Sequence, residues 1–285
     1  MKSFYVVTNI TKDPEYALTN SVVKYLEKKG CYCGFLPFSR GFTPGDDKNV
    51  DPDQIPEHVE AIIVLGGDGT LLQTARDTYL RGIPIIGVNL GDMGYLTDIR
   101  EDDIFAALDA LTEDRYFLEK RMLLKGTVYS GEKLVSTNIA LNDIVLSKSY
   151  DQRMIKLNIN VDASYLNTIY ADGLIISSPT GSTGYSLSAG GPIVAPDAEA
   201  MLITPIAPHT LVNRSVVLSG SSRICIRQDV NKDGARGDAI VVFDGNVKAL
   251  IHTGDRVEIE KSERDVKLIK LYKSSFLGVL SMKMR

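Results

Sequence analysis

Apolar residues in the first part of the chain follow two alternating patterns. Continuous apolar runs at residues 4–8, 61–65 and 83–88 are short and rich in β-branched types, as in parallel strands buried on both faces. Between the first two runs apolar positions recur at helical spacing, with Ala17, Leu18, Val22, Tyr25 and Leu26 on one face. Asp13-Pro14 predicts the start of that helix, an N-cap followed by proline at the first helical position, and Gly30 predicts its end. Residues 31–38 suit a second strand, 39–57 a polar loop rich in Gly, Pro and Asp, and 101–111 a closing amphipathic helix. Strands alternating with helices predict an α/β N-terminal domain, residues 1–118, on a parallel, doubly wound sheet.

From about Tyr116 the periodicity changes. Strand-like runs succeed one another at 123–129, 144–147, 155–161, 174–177, 216–218, 223–227, 240–243 and 256–260, separated by turn signals such as Ser130-Gly131 and Asp244-Gly245. This predicts an antiparallel, all-β C-terminal domain over residues 119–261, with one helix after Tyr185. Residues 274–285 read as a short terminal helix. There is no internal repeat.

Composition narrows the function. With 285 residues, 44% hydrophobic and 24% charged, the chain can bury a sizeable core. Its formal charge of −4 supplies no basic field for nucleic acid or an anionic membrane. No stretch approaches the length of a membrane span, and the start of the chain reads as a strand rather than a signal peptide. Cys31, Cys33 and Cys225 are odd in number and lack metal or redox spacing, so they read as idle thiols in a reducing cytoplasm.

Candidate chemistry begins where the run 61–65 meets Gly66-Gly67-Asp68-Gly69-Thr70. Glycines there let the backbone approach a ligand, and the following helix offers unpaired N–H groups to an anion such as phosphate. Asp68 is then presented at the carboxyl end of a strand, where open α/β sheets bind ligands. Beside a phosphate a carboxylate is unwelcome, so it serves another purpose; the alternative is a plain N-cap. Asn142-Asp143, between apolar runs, either faces a ligand or caps a turn. The densest cluster runs from Asp172-Gly173 to Gly191-Pro192, and a buried strand opens there into the hydroxyls and glycines of residues 179–191. Such a loop forms a nest for polar or phosphorylated ligands, and Tyr185 offers a face for adenine. No lysine follows the glycines, so it is not a Walker-type loop. Asp244-Gly245-Asn246 is explained by a hairpin turn. Residues 229–234 match half of a calcium loop, but position twelve is Ile240 and the flanks are strands, which favours a polar hairpin loop. His58, His209 and His252 show no ligand spacing.

Together these clusters resemble the NAD kinase family. Its Gly-Gly-Asp-Gly element matches residues 66–69 and its Asn-Leu-Gly-x-x-Gly-Phe/Tyr-Leu segment matches 89–96. Its Asn-Glu pair matches Asn142-Asp143, followed by Arg153-Met154, and its long Asp-Gly…Gly-Gly-Pro signature matches 172–192. Residues 204–209 and 244–246 match its Thr-Pro-Ile-x-Pro-His and Asp-Gly-Gln segments. Asp143 stands where the family has Glu, Gly184 where it has Ala, Asn246 where it has Gln, and Ser215 where Pro is common.

The resemblance implies transfer of the γ-phosphoryl group of ATP to the 2′-hydroxyl of the adenosine ribose of NAD, with Mg²⁺ carried in by ATP. It implies that residues 262–285 return to the first domain, that the dinucleotide binds in the interdomain cleft, and that the chain forms a homodimer or homotetramer. Asp68 would accept or orient the hydroxyl proton, Gly66, Gly67 and Gly69 would let backbone amides approach the triphosphate, and Thr70 and Tyr95 would also bind nucleotide. Asn142, Asp143, Arg153, Asp172, Thr180, Thr183, Gly184, Tyr185, Ser186, Leu187, Ser188, Asp244 and Asn246 would bind NAD. Diacylglycerol-type lipid kinases, which share Gly-Gly-Asp-Gly-Thr, and phosphofructokinases are rival readings that the 172–192 signature disfavours. A non-catalytic NADP-binding regulator is the rival from another class.

Overall fold

The structure is a computed structural model that describes residues 1–38, 50–91, 94–97, 99–149, 154–209, 214–230, 234, 237–272 and 276–283. The chain opens with β1 (Ser3–Asn9), α1 (Ala17–Lys28), β2 (Tyr32–Phe38), β3 (Ala61–Gly66), α2 (Asp68–Thr78), β4 (Ile85–Asn89), β5 (Ile99–Arg100), α3 (Ile104–Thr112) and β6 (Phe117–Arg121). It continues through β7 (Leu124–Ser130), β8 (Lys133–Ala140), β9 (Asp143–Lys148), β10 (Ile155–Val161), β11 (Ser164–Ala171), β12 (Gly173–Ser177) and the short α4 (Tyr185–Ser188). The last elements are β13 (Ala200–Ile206), β14 (Val216–Ser219), β15 (Ile224–Asp229), β16 (Asp238–Phe243), β17 (Val247–His252), β18 (Arg256–Lys261), β19 (Val266–Lys270) and α5 (Phe276–Lys283). Packing divides the chain into a unit of Met1–Arg121 with Arg264–Arg285 and a unit of Met122–Glu263.

The first unit is an α/β layer structure. Its sheet runs β2-β1-β3-β4-β19-β6, with β5 also on β4, and only β6 is antiparallel. Alternate residues point to opposite faces of a strand. Phe4, Val6, Ile63, Leu65, Ile86 and Val88 therefore share one face, and α1 and α3 cover it with Val22, Leu26, Ile104 and Leu108. Gly87 points to the other face, where its missing side chain admits Leu71 of α2. Helices lie on both faces, and strand order reverses between β1 and β3, which places their carboxyl ends at a ligand-binding switch point.

The helix after β1 begins later than the sequence suggests. Tyr16, with φ 54°, precedes α1, and Asp13 lies outside the helix. Asp13 still serves the helix start, accepting from the Leu18 amide at 3.3 Å and from the Thr19 amide and hydroxyl at 2.9 and 2.7 Å.

The second unit is two six-stranded antiparallel sheets, β11-β10-β15-β18-β7-β8 and β14-β13-β12-β9-β16-β17. They share one core, in which Leu157, Ile159, Ile226 and Val257 meet Leu146, Ile176, Val241 and Phe243. A side chain at Gly126 would strike Phe243 at 2.6 Å, so that glycine makes room for the ring between the sheets. The helix expected after Tyr185 is the single turn α4. All three cysteines are free, and burial pushes the Cys33 thiol up to about 12. Among the described residues no helix is long and apolar enough to cross a membrane.

Candidate active site in two parts

The first part forms where β3 turns into α2. Gly67 occupies the N-cap with an extended backbone and Asp68 is the first helical residue, making no cap hydrogen bond. The plain N-cap reading therefore does not hold. The Asp68 carboxylate instead reaches the segment after β4. Its Oδ1 accepts from the Leu96 amide at 3.1 Å, the Thr97 amide at 2.9 Å and the Thr97 hydroxyl at 2.8 Å. Its Oδ2 accepts from the Tyr95 amide at 2.7 Å. Two glycines permit this. A side chain on Gly94 would collide with the carboxylate, and one on Gly66 would meet Thr70 Oγ1 at 2.7 Å.

Thr97 is in turn held by Asn89, whose Nδ2 donates to its hydroxyl at 2.9 Å. Thr70 is buried and accepts from Asn9 Nδ2 at 3.0 Å, tying the β1 end to the helix start. The carboxylate is thus fixed in orientation, with Oδ1 saturated. Oδ2 has one protein donor and a remaining lone pair, the geometry of an acceptor for a ligand hydroxyl. Asn89 opens the 89–96 segment matched above, whereas Thr97 and Asn9 carry no motif of their own; for Thr97 the signal was a hydroxyl directly after Gly94-Tyr95-Leu96.

The second part forms at one end of the β14-β13-β12-β9-β16-β17 sheet. Pairing of Asp143 with Ser177 and of Ile144 with Phe243 brings together the turn before β9, the loop after β12 and the turn after β16. In that last turn Asp244 and Gly245 have φ of 48° and 72°, and the Asn246 amide donates to the Phe243 carbonyl at 3.1 Å. This is the hairpin expected, with an added role. Asp244 accepts from the amides of Leu141, Asn142 and Asp143 at 2.7, 2.8 and 3.1 Å. Asn142 and Asp143 therefore sit in a turn clamped by Asp244. Burial pushes the Asp143 carboxyl up to about 7, with the Asp244 charge adding to the effect.

The loop after β12 packs on the same turn. The Ser178 amide and hydroxyl donate to the carbonyls of Asn142 and Leu141 at 2.9 and 2.5 Å, and a side chain on Gly181 would collide with Asn142. Several hydroxyls expected to face a ligand are spent internally. Ser182 bonds Pro179 and Val194, and fully buried Ser186 bonds Thr204 at 3.1 Å. Thr180 is buried, Thr183 and Gly184 are half-buried, and Tyr185, Leu187 and Ser188 form the outward face.

Asp172 lies elsewhere. It precedes β12 at the end opposite Ser177, about 16 Å along the strand, and pairs with Lys148 at 2.7 Å. Arg153 lies outside the described residues, as do residues 231–233 of the calcium-like stretch. Asp229 of that stretch is held well down, at about 2, by Lys156 and then Asn158.

Comparison with known proteins then bears on the whole chain. Residues 4–116 match the ATP-NAD kinase N-terminal domain and residues 141–271 the ATP-NAD kinase C-terminal domain. The chain is 40% identical to the NAD kinase of Lachnospira eligens, with 100% of each covered. It is also 40% identical to the NAD kinase of Agathobacter rectalis, covering 100% of this chain and 99% of the relative. Among solved structures it is similar to an NAD kinase from Archaeoglobus fulgidus in complex with ATP, with TM-score 0.75, 25% identity and 99% and 98% of the two chains covered. A yeast NADH kinase complexed with NADH shares the fold, with TM-score 0.82, 20% identity and 100% and 88% covered.

Proposed function

The chain belongs to the NAD kinase family, and from that membership we propose that it moves the γ-phosphoryl group of ATP to the adenosine 2′-hydroxyl of NAD through Asp68. The ribose oxygen attacks the γ-phosphorus, the bond to the β-phosphate oxygen breaks, and ADP and NADP leave. The hydroxyl proton passes to Asp68 Oδ2, early or late according to how dissociative the transition state is. The observation that carries this role is the four-donor cradle on Asp68, which leaves one carboxylate oxygen able to accept. A carboxylate so fixed gives the positioning on which phosphoryl transfer depends.

On the NAD side, Asn142, Asp143 and the outward face of residues 183–188 hold the dinucleotide, with Asp244 acting through the turn it clamps. Mg²⁺ arrives on the triphosphate as part of the substrate and offsets charge on the phosphates. The active form is a homo-oligomer working in the cytoplasm, a compartment that three free cysteines suit. Lipid phosphorylation is not favoured by any of the matched relatives.

Incubation with NAD, ATP and Mg²⁺, read out by an NADP-specific dehydrogenase, tests the activity, and size-exclusion chromatography tests the assembly. Asp68→Asn lowers kcat by on the order of 10²-fold or more while ATP and NAD still bind. Normal turnover in that variant removes Asp68 from the chemistry, and nucleotide binding by the unaltered chain without NADP formation makes it a regulator.

A further inference from the structure

Neither Gly67 nor Gly91 is required by backbone conformation, and among the described residues what a side chain at either would meet first is Lys12. Gly67 has φ −126° and ψ −175°, an extended geometry open to any residue, and neither glycine has a positive φ. At Gly66, Gly87 and Gly94 an added side chain would strike packed atoms. At Gly67 the one heavy atom it would meet within 4 Å, among the described residues, is Lys12 Nζ at 3.5 Å. At Gly91 it would meet Lys12 Nζ at 3.0 Å, with Lys12 Cε and Asn89 Oδ1 at 3.9 Å. The Lys12 ammonium thus stands over both bare backbone positions.

These three residues follow β1, β3 and β4, whose carboxyl ends lie side by side at the switch point of the sheet. The ammonium also lies at the amino end of α2, where unpaired N–H groups carry partial positive charge. Lys12 is exposed, so water now screens the two positive groups from each other, and a phosphate between them would interact favourably with both. No carboxylate among the described residues forms an ion pair with Lys12. Asp13, next to Lys12 in sequence, is engaged with Leu18 and Thr19, and Asp68, next to Gly67, with residues 95–97.

We propose that Lys12 binds the terminal phosphates of the donor nucleotide over Gly67 and Gly91, and offsets their charge as the phosphoryl group leaves. The assignment rests on the kinase reading above and adds a residue on the donor side that the family motifs in this sequence do not mark. An ammonium there discriminates a triphosphate from a diphosphate by charge.

The test uses the full chain carrying Lys12→Met or Lys12→Arg. Steady-state kinetics are measured with ATP varied at saturating NAD and the reverse, and ATP binding is measured by equilibrium dialysis without NAD. Lys12→Met lowers kcat/KM for ATP about 10- to 100-fold, the scale of one lost charge-assisted hydrogen bond, and leaves KM for NAD within about twofold. It weakens ATP binding in parallel, leaves the thermal unfolding midpoint unchanged, and Lys12→Arg recovers most of the loss. The proposal is overturned if Lys12→Met keeps kcat/KM for ATP within about twofold of the unaltered chain. It is equally overturned if the loss falls on both substrates alongside a lowered unfolding midpoint. Should the unaltered chain bind ATP yet fail to phosphorylate NAD, the kinase reading fails, and the dialysis comparison alone decides Lys12.

Discussion

Thr97 donates both its backbone amide and its hydroxyl to Asp68 Oδ1, at 2.9 and 2.8 Å. The hydroxyl is not simply another donor, because it is itself oriented by Asn89 at 2.9 Å. A chain of two side chains thus connects the end of β4 to the carboxylate at the start of α2. Rotating Asp68 away from its ligand-facing pose would break all of these contacts together. Thr97→Val keeps the shape of the side chain and all three amide donors to Asp68 but removes the hydroxyl, and with it the bond to Asp68 and the bond from Asn89 Nδ2. A hydrogen bond to a charged group is worth roughly 1.5–3 kcal/mol. The expected result is a kcat lowered about 10-fold with both KM values nearly unchanged, and recovery in Thr97→Ser. Steady-state kinetics on the three proteins check it; a Thr97→Val enzyme with full kcat would mean that the amides alone orient Asp68.

Asp244 makes the corresponding arrangement in the second unit, where one carboxylate gathers three successive amides. Its left-handed backbone, φ 48°, suits Asn nearly as well as Asp. Asp244→Asn therefore keeps the hairpin while placing an NH₂ group against N–H donors. The turn holding Asn142 and Asp143 loosens, and KM for NAD rises about 10-fold, with KM for ATP within about twofold. Equal effects on both substrates would show that the clamp supports the fold as a whole rather than the dinucleotide side.

Much of this could be read along the chain, and the reasons for the remainder are physical. The run at 61–65 and its glycine turn announced themselves because a strand buried on both faces must be continuously apolar. Helix starts were less legible. Asp13 reads as a cap in sequence, and it does bind the amides of residues 18 and 19, but the left-handed Tyr16 moves the helix start to Ala17. Strands β5, β6, β8, β11, β13 and β19 have no counterpart among the predicted runs. β8 and β11 are edge strands with largely exposed residues, so their pattern lacks a buried stripe, and β13 carries Pro205 within it. The partners of Asp68 lie 27 to 29 residues away across two elements, a relation no local pattern encodes. Likewise, hydroxyl-rich composition suggested a ligand nest at 179–191, yet only pairing with Thr204 reveals that Ser186 faces inward.

Asp143 has the most consequential electrostatic position. Its side chain is 6% exposed beside Asp244, and burial first, then that neighbouring charge, pushes its carboxyl from 3.8 up to about 7. Below about pH 3 the group is neutral in both folded and unfolded chains and costs nothing. As pH rises toward 7 the unfolded chain releases this proton while the folded chain keeps it, so the folded state loses stability. Above about 7 the loss is complete, on the order of 4 kcal/mol. Asp143→Asn removes the titration with little change of shape. Its thermal unfolding midpoint should therefore match that of the unaltered chain near pH 3 and exceed it increasingly up to about pH 7. The same group titrates where the enzyme works, so KM for NAD in the unaltered chain should vary between pH 6 and 8 in a way that Asp143→Asn abolishes. Parallel stability curves for the two proteins across that range would show that the Asp143 carboxyl is not held above its ordinary value.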